Sequence, residues 1–148
     1  VQSTVFEGKG KEFPAFYLRC DVELSRVAVS YKRVAERLAE RLRDAVGDRI
    51  EAIVLYGSVA RGEAGKDSDV DLLIIVPDGK IRRQILRVSY DLDLEFGTVT
   101  SHVYMTPQEF ERYLSWGDPF LREVLKEGIV LYDSGFYSKV RGGLSEQG

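Results

Sequence analysis

A chain of 148 residues, 44% hydrophobic and 30% charged, has the size and balance of one globular domain with its own core. A net charge of −3 leaves no basic footprint, so no general nucleic-acid binding is expected, and no apolar run approaches the ~18 residues that cross a bilayer. One cysteine, Cys20, excludes an internal disulfide. With no apolar signal core in VQSTVFEGKGKEF, a reducing cytoplasm is the expected compartment.

Residues 1–22 read as an N-terminal extension. VQSTVF and FPAFYLRC suggest two strands around the turn EGKGKE, and Pro14 disfavours a central strand. From Glu23 to Val46 the pattern changes. Val27, Tyr31, Val34, Leu38, Leu42 and Val46 recur at steps of three and four, which predicts a long amphipathic helix stopped at Gly47. IEAIVLY, residues 50–56, predicts a buried strand. Val70 to Val76 predicts another, ended by Pro77.

YDLDLEF, residues 90–96, alternates as a strand does. Ile81, Ile85, Val88, Leu92 and Phe96 instead make a helical stripe over a longer stretch, so a helix from about Ile81 to Phe96 is preferred, ended by Gly97. TVTSHVYM, residues 98–105, is rich in β-branched residues and predicts a third strand. Thr106, Pro107 and Glu109 form a capping box for one helix. Asp118 and Pro119 start another that runs to about Glu127. Gly128 ends it, and IVLY, residues 129–132, predicts a last strand. The expected domain is 23–133, with a tail over 134–148 that is poorly ordered at its end. The fold class is α/β (α+β), a mixed central sheet flanked by helices.

The chemistry concentrates in GSVARGEAGKDSDVDLLIIV, residues 57–76. Residues two apart in a strand share a face, about 6.6 Å apart along it. Asp69 and Asp71 therefore present two carboxylates side by side, while Val70 and Leu72 point into the core. Like charges so close repel, and burial raises their pKa values. A hard divalent cation such as Mg²⁺ removes both problems and is commonly held by one or two carboxylates plus substrate phosphates. Upstream, Gly57 permits a tight turn and close approach of a ligand. Ser58 is placed to cap a short helix, Val59 to about Glu63, whose first amides would attract phosphate. Taken singly, each feature also reads as ordinary structure: a solvated D-x-D, a serine-capped turn. Neither the Walker pattern nor G-x-G-x-x-G is present.

Together, Gly57, Ser58, Ala60, Arg61, Gly62, Ser68, Asp69, Asp71 and Leu72 spell G-S-x-A-R-G followed by S-D-x-D-L. The chain resembles the minimal nucleotidyltransferase branch of the DNA polymerase β-like superfamily over roughly Arg33 to Asp133. The resemblance implies a mixed sheet with the signature on its first two strands. It also implies transfer of a nucleoside monophosphate from an NTP, ATP foremost, to an acceptor hydroxyl with release of pyrophosphate. By the same resemblance Asp69 and Asp71 are catalytic and hold Mg²⁺ in a two-metal site. Gly57, Ser58, Arg61 and Ser68 bind the nucleotide, with Gly57 and Ser58 on the β- and γ-phosphates. For Arg61 a structural pairing with Glu63 or Asp67 stands beside that role. Small members of the family work with helical protein partners, and some are antitoxins that adenylylate a toxin tyrosine. A helical partner or a homodimer is therefore expected here.

The sequence departs from the pattern at the third carboxylate that active members add from a neighbouring strand. TVTSHVYM contains none. His102, read with Thr100 and Tyr104 as the strand's outward face, is one candidate base, because an unperturbed histidine titrates near about 6.5. Asp91, Asp93 and Glu95 are the others, if YDLDLEF is a strand. The alternative is a nucleotide-binding or protein-interaction module with weak or no catalysis.

Overall fold

The computed structural model describes the backbone of residues 20–65 and 67–147, with burial and side-chain contacts over residues 31–65 and 67–143. The hairpin expected before Cys20 lies outside the described residues.

Helix α1, Cys20–Val46, carries the expected stripe: Tyr31, Val34, Leu38, Leu42 and Val46 are all buried. The chain then enters strand β1, Ala52–Tyr56, and a single helical turn, α2, Gly57–Ala60. Strand β2 is Val70–Ile75, helix α3 Arg82–Phe96 and strand β3 Thr100–Met105. Helices α4, Pro107–Ser115, and α5, Pro119–Glu127, follow, then strand β4, Ile129–Asp133, and helix α6, Phe136–Gln147.

The four strands form one mixed sheet in the order β3-β2-β1-β4. Strand β1 is antiparallel to both β2 and β4, whereas β2 and β3 are parallel, so α3 serves as the crossover that a parallel pair requires. Alternation along the strands divides the core. Ile53, Leu55, Val70, Leu72 and Ile74 pack with α1 and α3 on one face. Ala52, Val54, Leu73, Ile75 and Met105 pack with Phe110, Leu121, Val124 and Tyr137 from α4, α5 and α6 on the other. Burying each such Leu or Ile contributes about 1.5–3 kcal/mol. Both faces are covered, which is why β1 and β2 read as unbroken apolar runs.

Residues 90–96 are helical, as the longer periodicity predicts. Ile85, Ser89 and Leu92 are buried, and Gly97 ends α3 in the left-handed conformation at φ 69°. The capping box on α4 is present: Thr106 Oγ1 accepts from the Glu109 amide at 3.1 Å, and Glu109 Oε1 accepts from the Thr106 amide at 2.9 Å. Asp118 caps α5 by accepting from the Leu121 amide at 3.0 Å.

Most of the segment expected as a tail forms helix α6, Phe136–Gln147. The Asp133 carboxylate accepts the amides of Gly135 at 2.9 Å and of Tyr137 and Ser138 at 3.0 Å each. That cap turns the chain back so that Tyr137 enters the core. Among the described residues no helix is long and apolar enough to cross a membrane.

Candidate active site

The site is built where β1 ends and β2 begins. Their antiparallel register pairs Tyr56 with Asp71, so the turn that follows Tyr56 lies directly over that aspartate. Gly57 makes the turn at φ 80°. A Cβ placed on Gly57 would run into the Asp71 carboxylate, so glycine is required here for space as well as for conformation. The turn also differs from expectation in detail. The helix begins at Gly57 with Tyr56 at its N-cap and no side-chain cap, and it ends at Ala60. The reversal at Gly57 puts Ser58 inside the helical turn rather than before it. The Ser58 hydroxyl lies 3.4 Å from that of Ser68, across the loop.

Asp71 shares its sheet face with Leu73 and Ile75 and is half-buried near the start of β2. Burial pushes its carboxyl up, the nearby Asp69 charge pushes the same way, and Arg61 opposes both. The two aspartates are thus close enough to repel, as two carboxylates one residue apart should. Tyr56, edge-on to Phe120 at 5.1 Å, has its hydroxyl pushed up by burial and then by Asp71. Tyr31 of α1 is raised by burial and then by Asp67 and Asp69, which locates it beside the same loop.

Arg61 and Ser68 hold the loop. Arg61 Nε lies 2.9 Å from Glu63 and Nη1 lies 3.3 Å from Glu127 at the end of α5. The pairing with Glu63 is one of the two weighed from sequence. The second partner is Glu127, 66 residues away, rather than Asp67. The Ser68 hydroxyl accepts from the Gly65 amide at 2.7 Å and closes the turn before Asp69.

The candidates for a third ionisable group stand elsewhere. In the parallel register Asp71 is beside Ser101 and Leu72 is beside His102. His102 therefore occupies the opposite face of the sheet from Asp71, turned toward α3 rather than outward. Burial lowers its pKa, Asp93 opposes that, and its Nε2 is buried with no partner among the described residues. Asp93 is bound by the Thr98 hydroxyl at 2.6 Å and by the Thr100 amide and hydroxyl at 2.9 and 2.8 Å. Glu95 pairs with Arg41 at 2.8 Å, and Asp91 is exposed on α3. None of the four joins the aspartates, because α3 covers the other face. Tyr56, Ser101 and Glu127 were not singled out from sequence. Tyr56 and Ser101 become visible only through strand register, and Glu127 only through the packing of α5 against the turn.

The donor set fits a hard divalent cation. An exposed carboxylate, Asp69 in the loop just before β2, and a half-buried one, Asp71 inside it, repel one another beside a turn with room for nothing larger than glycine. Such a pair is neutralised by a cation that takes its remaining oxygens from a phosphate.

Comparison with known proteins shows the family. Residues 35–132 match the family model described as "Nucleotidyltransferase domain". "Putative protein adenylyltransferase MJ0604" of Methanocaldococcus jannaschii is 30% identical over 102 residues, covering 68% of this chain and 97% of that protein. "Putative protein adenylyltransferase MJ1305" of the same organism is 32% identical over 108 residues, 68% of this chain and 70% of that one. Among solved structures, a toxin-antitoxin with AMP-PNP shares the fold at TM-score 0.50 and 20% identity, covering 76% of this chain and 88% of that one.

Proposed function

The chain belongs to the nucleotidyltransferase domain family, and from that premise we propose that it is a Mg²⁺-dependent enzyme of the cytoplasm. It would transfer a nucleoside monophosphate from an NTP, ATP foremost, to an acceptor hydroxyl on a partner protein, in the manner of an antitoxin. The observation that carries this reading is the contact between the Gly57 turn and the Asp71 carboxylate. It sets the backbone of a tight glycine turn directly against one of a pair of neighbouring carboxylates.

Each residue then has a defined task. The Gly57–Ser58 turn lies against the β- and γ-phosphates, and Ser58 and Ser68 supply hydroxyls across the loop. Arg61, held by Glu63 and Glu127, keeps the loop in place and lends positive charge toward Asp71. Asp69 and Asp71 hold the cation, which supplies neutralisation of the triphosphate charge when bound. The acceptor hydroxyl gives its proton to water, its oxygen bonds to the α-phosphorus as the bond to the bridging oxygen breaks, and pyrophosphate leaves with that electron pair. Positioning and charge neutralisation carry most of the catalysis in such transfers.

One observation favours a second reading. The position beside Asp71 on β3 is Ser101, not a carboxylate, which suits a module that binds NTP and Mg²⁺ with little turnover. Incubation with α-labelled ATP, Mg²⁺ and candidate acceptor proteins separates the two. Label should move to an acceptor and stop when Asp69 and Asp71 are both changed to Asn. Transfer that survives that double change refutes the site. Calorimetric NTP binding without transfer selects the second reading.

A further inference from the structure

Leu86, Tyr90 and Leu94 of α3 are 56%, 63% and 69% exposed, unusually open for large apolar side chains. With Val99 they line one groove of about 300 Å³ along the edge of the molecule. Beneath them runs β3, the edge strand of the sheet. An apolar stripe beside an open strand edge is a feature that needs a cover.

The charges on this face have a pattern of their own. Arg82 lies over the Tyr104 ring at 4.9 Å, Asp93 is bound to Thr98 and Thr100, and Glu95 pairs with Arg41. Arg83 and Arg87, in the first half of the exposed face, and Asp91, in the second half, form no ion pair among the described residues. The stripe is also symmetric about its middle: Leu86 and Leu94 each lie four residues from Tyr90.

We propose that this face binds a second copy of the chain, with α3 packed antiparallel on α3 about a two-fold axis at Tyr90. That axis sets Tyr90 against its equivalent and Leu86 against Leu94 of the second copy. Leu94 of that copy meets the groove of about 450 Å³ lined by Arg83, Leu86, Arg87 and Tyr90. Arg87 falls within one turn of the second copy's Asp91. Arg83 falls at the C-terminal end of the second α3, where the helix dipole favours a cation. A basic or an acidic partner would suit one half of this face and be repelled by the other. Only a partner whose charge reverses in the same way suits both halves, and a two-fold copy does so by construction.

Sedimentation over two decades of protein concentration tests this. The wild-type chain should pass from monomer to dimer, and Tyr90→Glu should weaken association ~30-fold or more, as expected for a central aromatic anchor. Arg87→Glu and Asp91→Arg should each weaken it, and the two together should restore it, because reversed pairs re-form across the axis. Thermal melts by circular dichroism check that each variant folds. If Tyr90→Glu does not fold, the charge-reversal set decides alone. A wild-type chain that stays monomeric throughout, including one that binds some other helix through this face, overturns the proposal. So does a dimer indifferent to Tyr90→Glu, or a double reversal that fails to restore it.

Discussion

Gly57 and Asp71 are in such close contact that the aspartate carboxylate occupies the space a side chain on Gly57 would need. The positive φ of 80° adds a second constraint, worth roughly 1–2 kcal/mol against any residue with a Cβ. Gly57→Ala should therefore lower the melting temperature by several degrees and displace Asp71. Nucleotide binding, measured by calorimetry with a nonhydrolysable NTP and Mg²⁺, should be lost. An alanine variant that melts and binds like the parent would show that the turn has freedom to spare.

Asp71 is disfavoured as a carboxylate by burial and by its neighbour Asp69. Charge placed for binding at the expense of stability is a common compromise in active sites. Asp71→Asn should accordingly raise the melting temperature of the metal-free protein at neutral pH while abolishing transfer. Mg²⁺ should raise the melting temperature of the parent and leave that of the variant unchanged. Differential scanning calorimetry with and without Mg²⁺ reads both effects. A variant less stable than the parent would contradict the repulsion argued for the pair.

Much of this was legible in sequence, for physical reasons that can be named. The helix over α3 was recoverable because its 3.6-residue stripe outlasts the seven-residue alternation of YDLDLEF, and Gly97 marks its end. The local geometry of the candidate site was legible because it is short-range: the turn at Gly57, and Asp69 and Asp71 one residue apart at the start of β2. What escaped depends on contacts distant along the chain. His102 could be assigned to a face only once the β2–β3 register paired it with Leu72. Glu127 reaches Arg61 across 66 residues. Helix α6 was missed because FYSKVRGGL contains two glycines, which argue against a helix. Its start is fixed by the Asp133 cap and the burial of Tyr137, neither of which propensity records.

Asp133 makes one contribution to the pH dependence of stability. Burial alone would push its carboxyl up. The hydrogen bonds from the Ser138 hydroxyl and from the amides of Gly135, Tyr137 and Ser138 outweigh burial and hold it below the ordinary value of 3.8. A depressed folded-state value means that the stabilisation is fully present above the ordinary carboxyl range and is lost as pH falls through the folded value. Asp133→Ala should therefore cost about 1 kcal/mol at neutral pH, the usual worth of a helix cap. It should also flatten the acid limb of the stability curve. Urea melts from neutral to acidic pH would show the two curves converging at the acid end, and parallel curves would exclude the cap as the cause.

Ser101 is beside Asp71 on the same face, and His102 is on the other. The two positions therefore predict opposite outcomes. Ser101→Asp would place a third carboxylate next to the pair. Without metal, three like charges at one strand end should destabilise the fold, since carboxylates this close cannot all ionise without cost. With Mg²⁺ the same group becomes a ligand, so the variant should bind the cation more tightly and recover its melting temperature as Mg²⁺ is added. His102→Gln should do neither. It should change stability through its buried contact with α3 but leave Mg²⁺ affinity and the pH profile of transfer as they are. Isothermal titration of Mg²⁺ into both variants makes the comparison direct. A cation affinity that responds to His102→Gln and not to Ser101→Asp would mean that the β2–β3 register is not the one that positions the site.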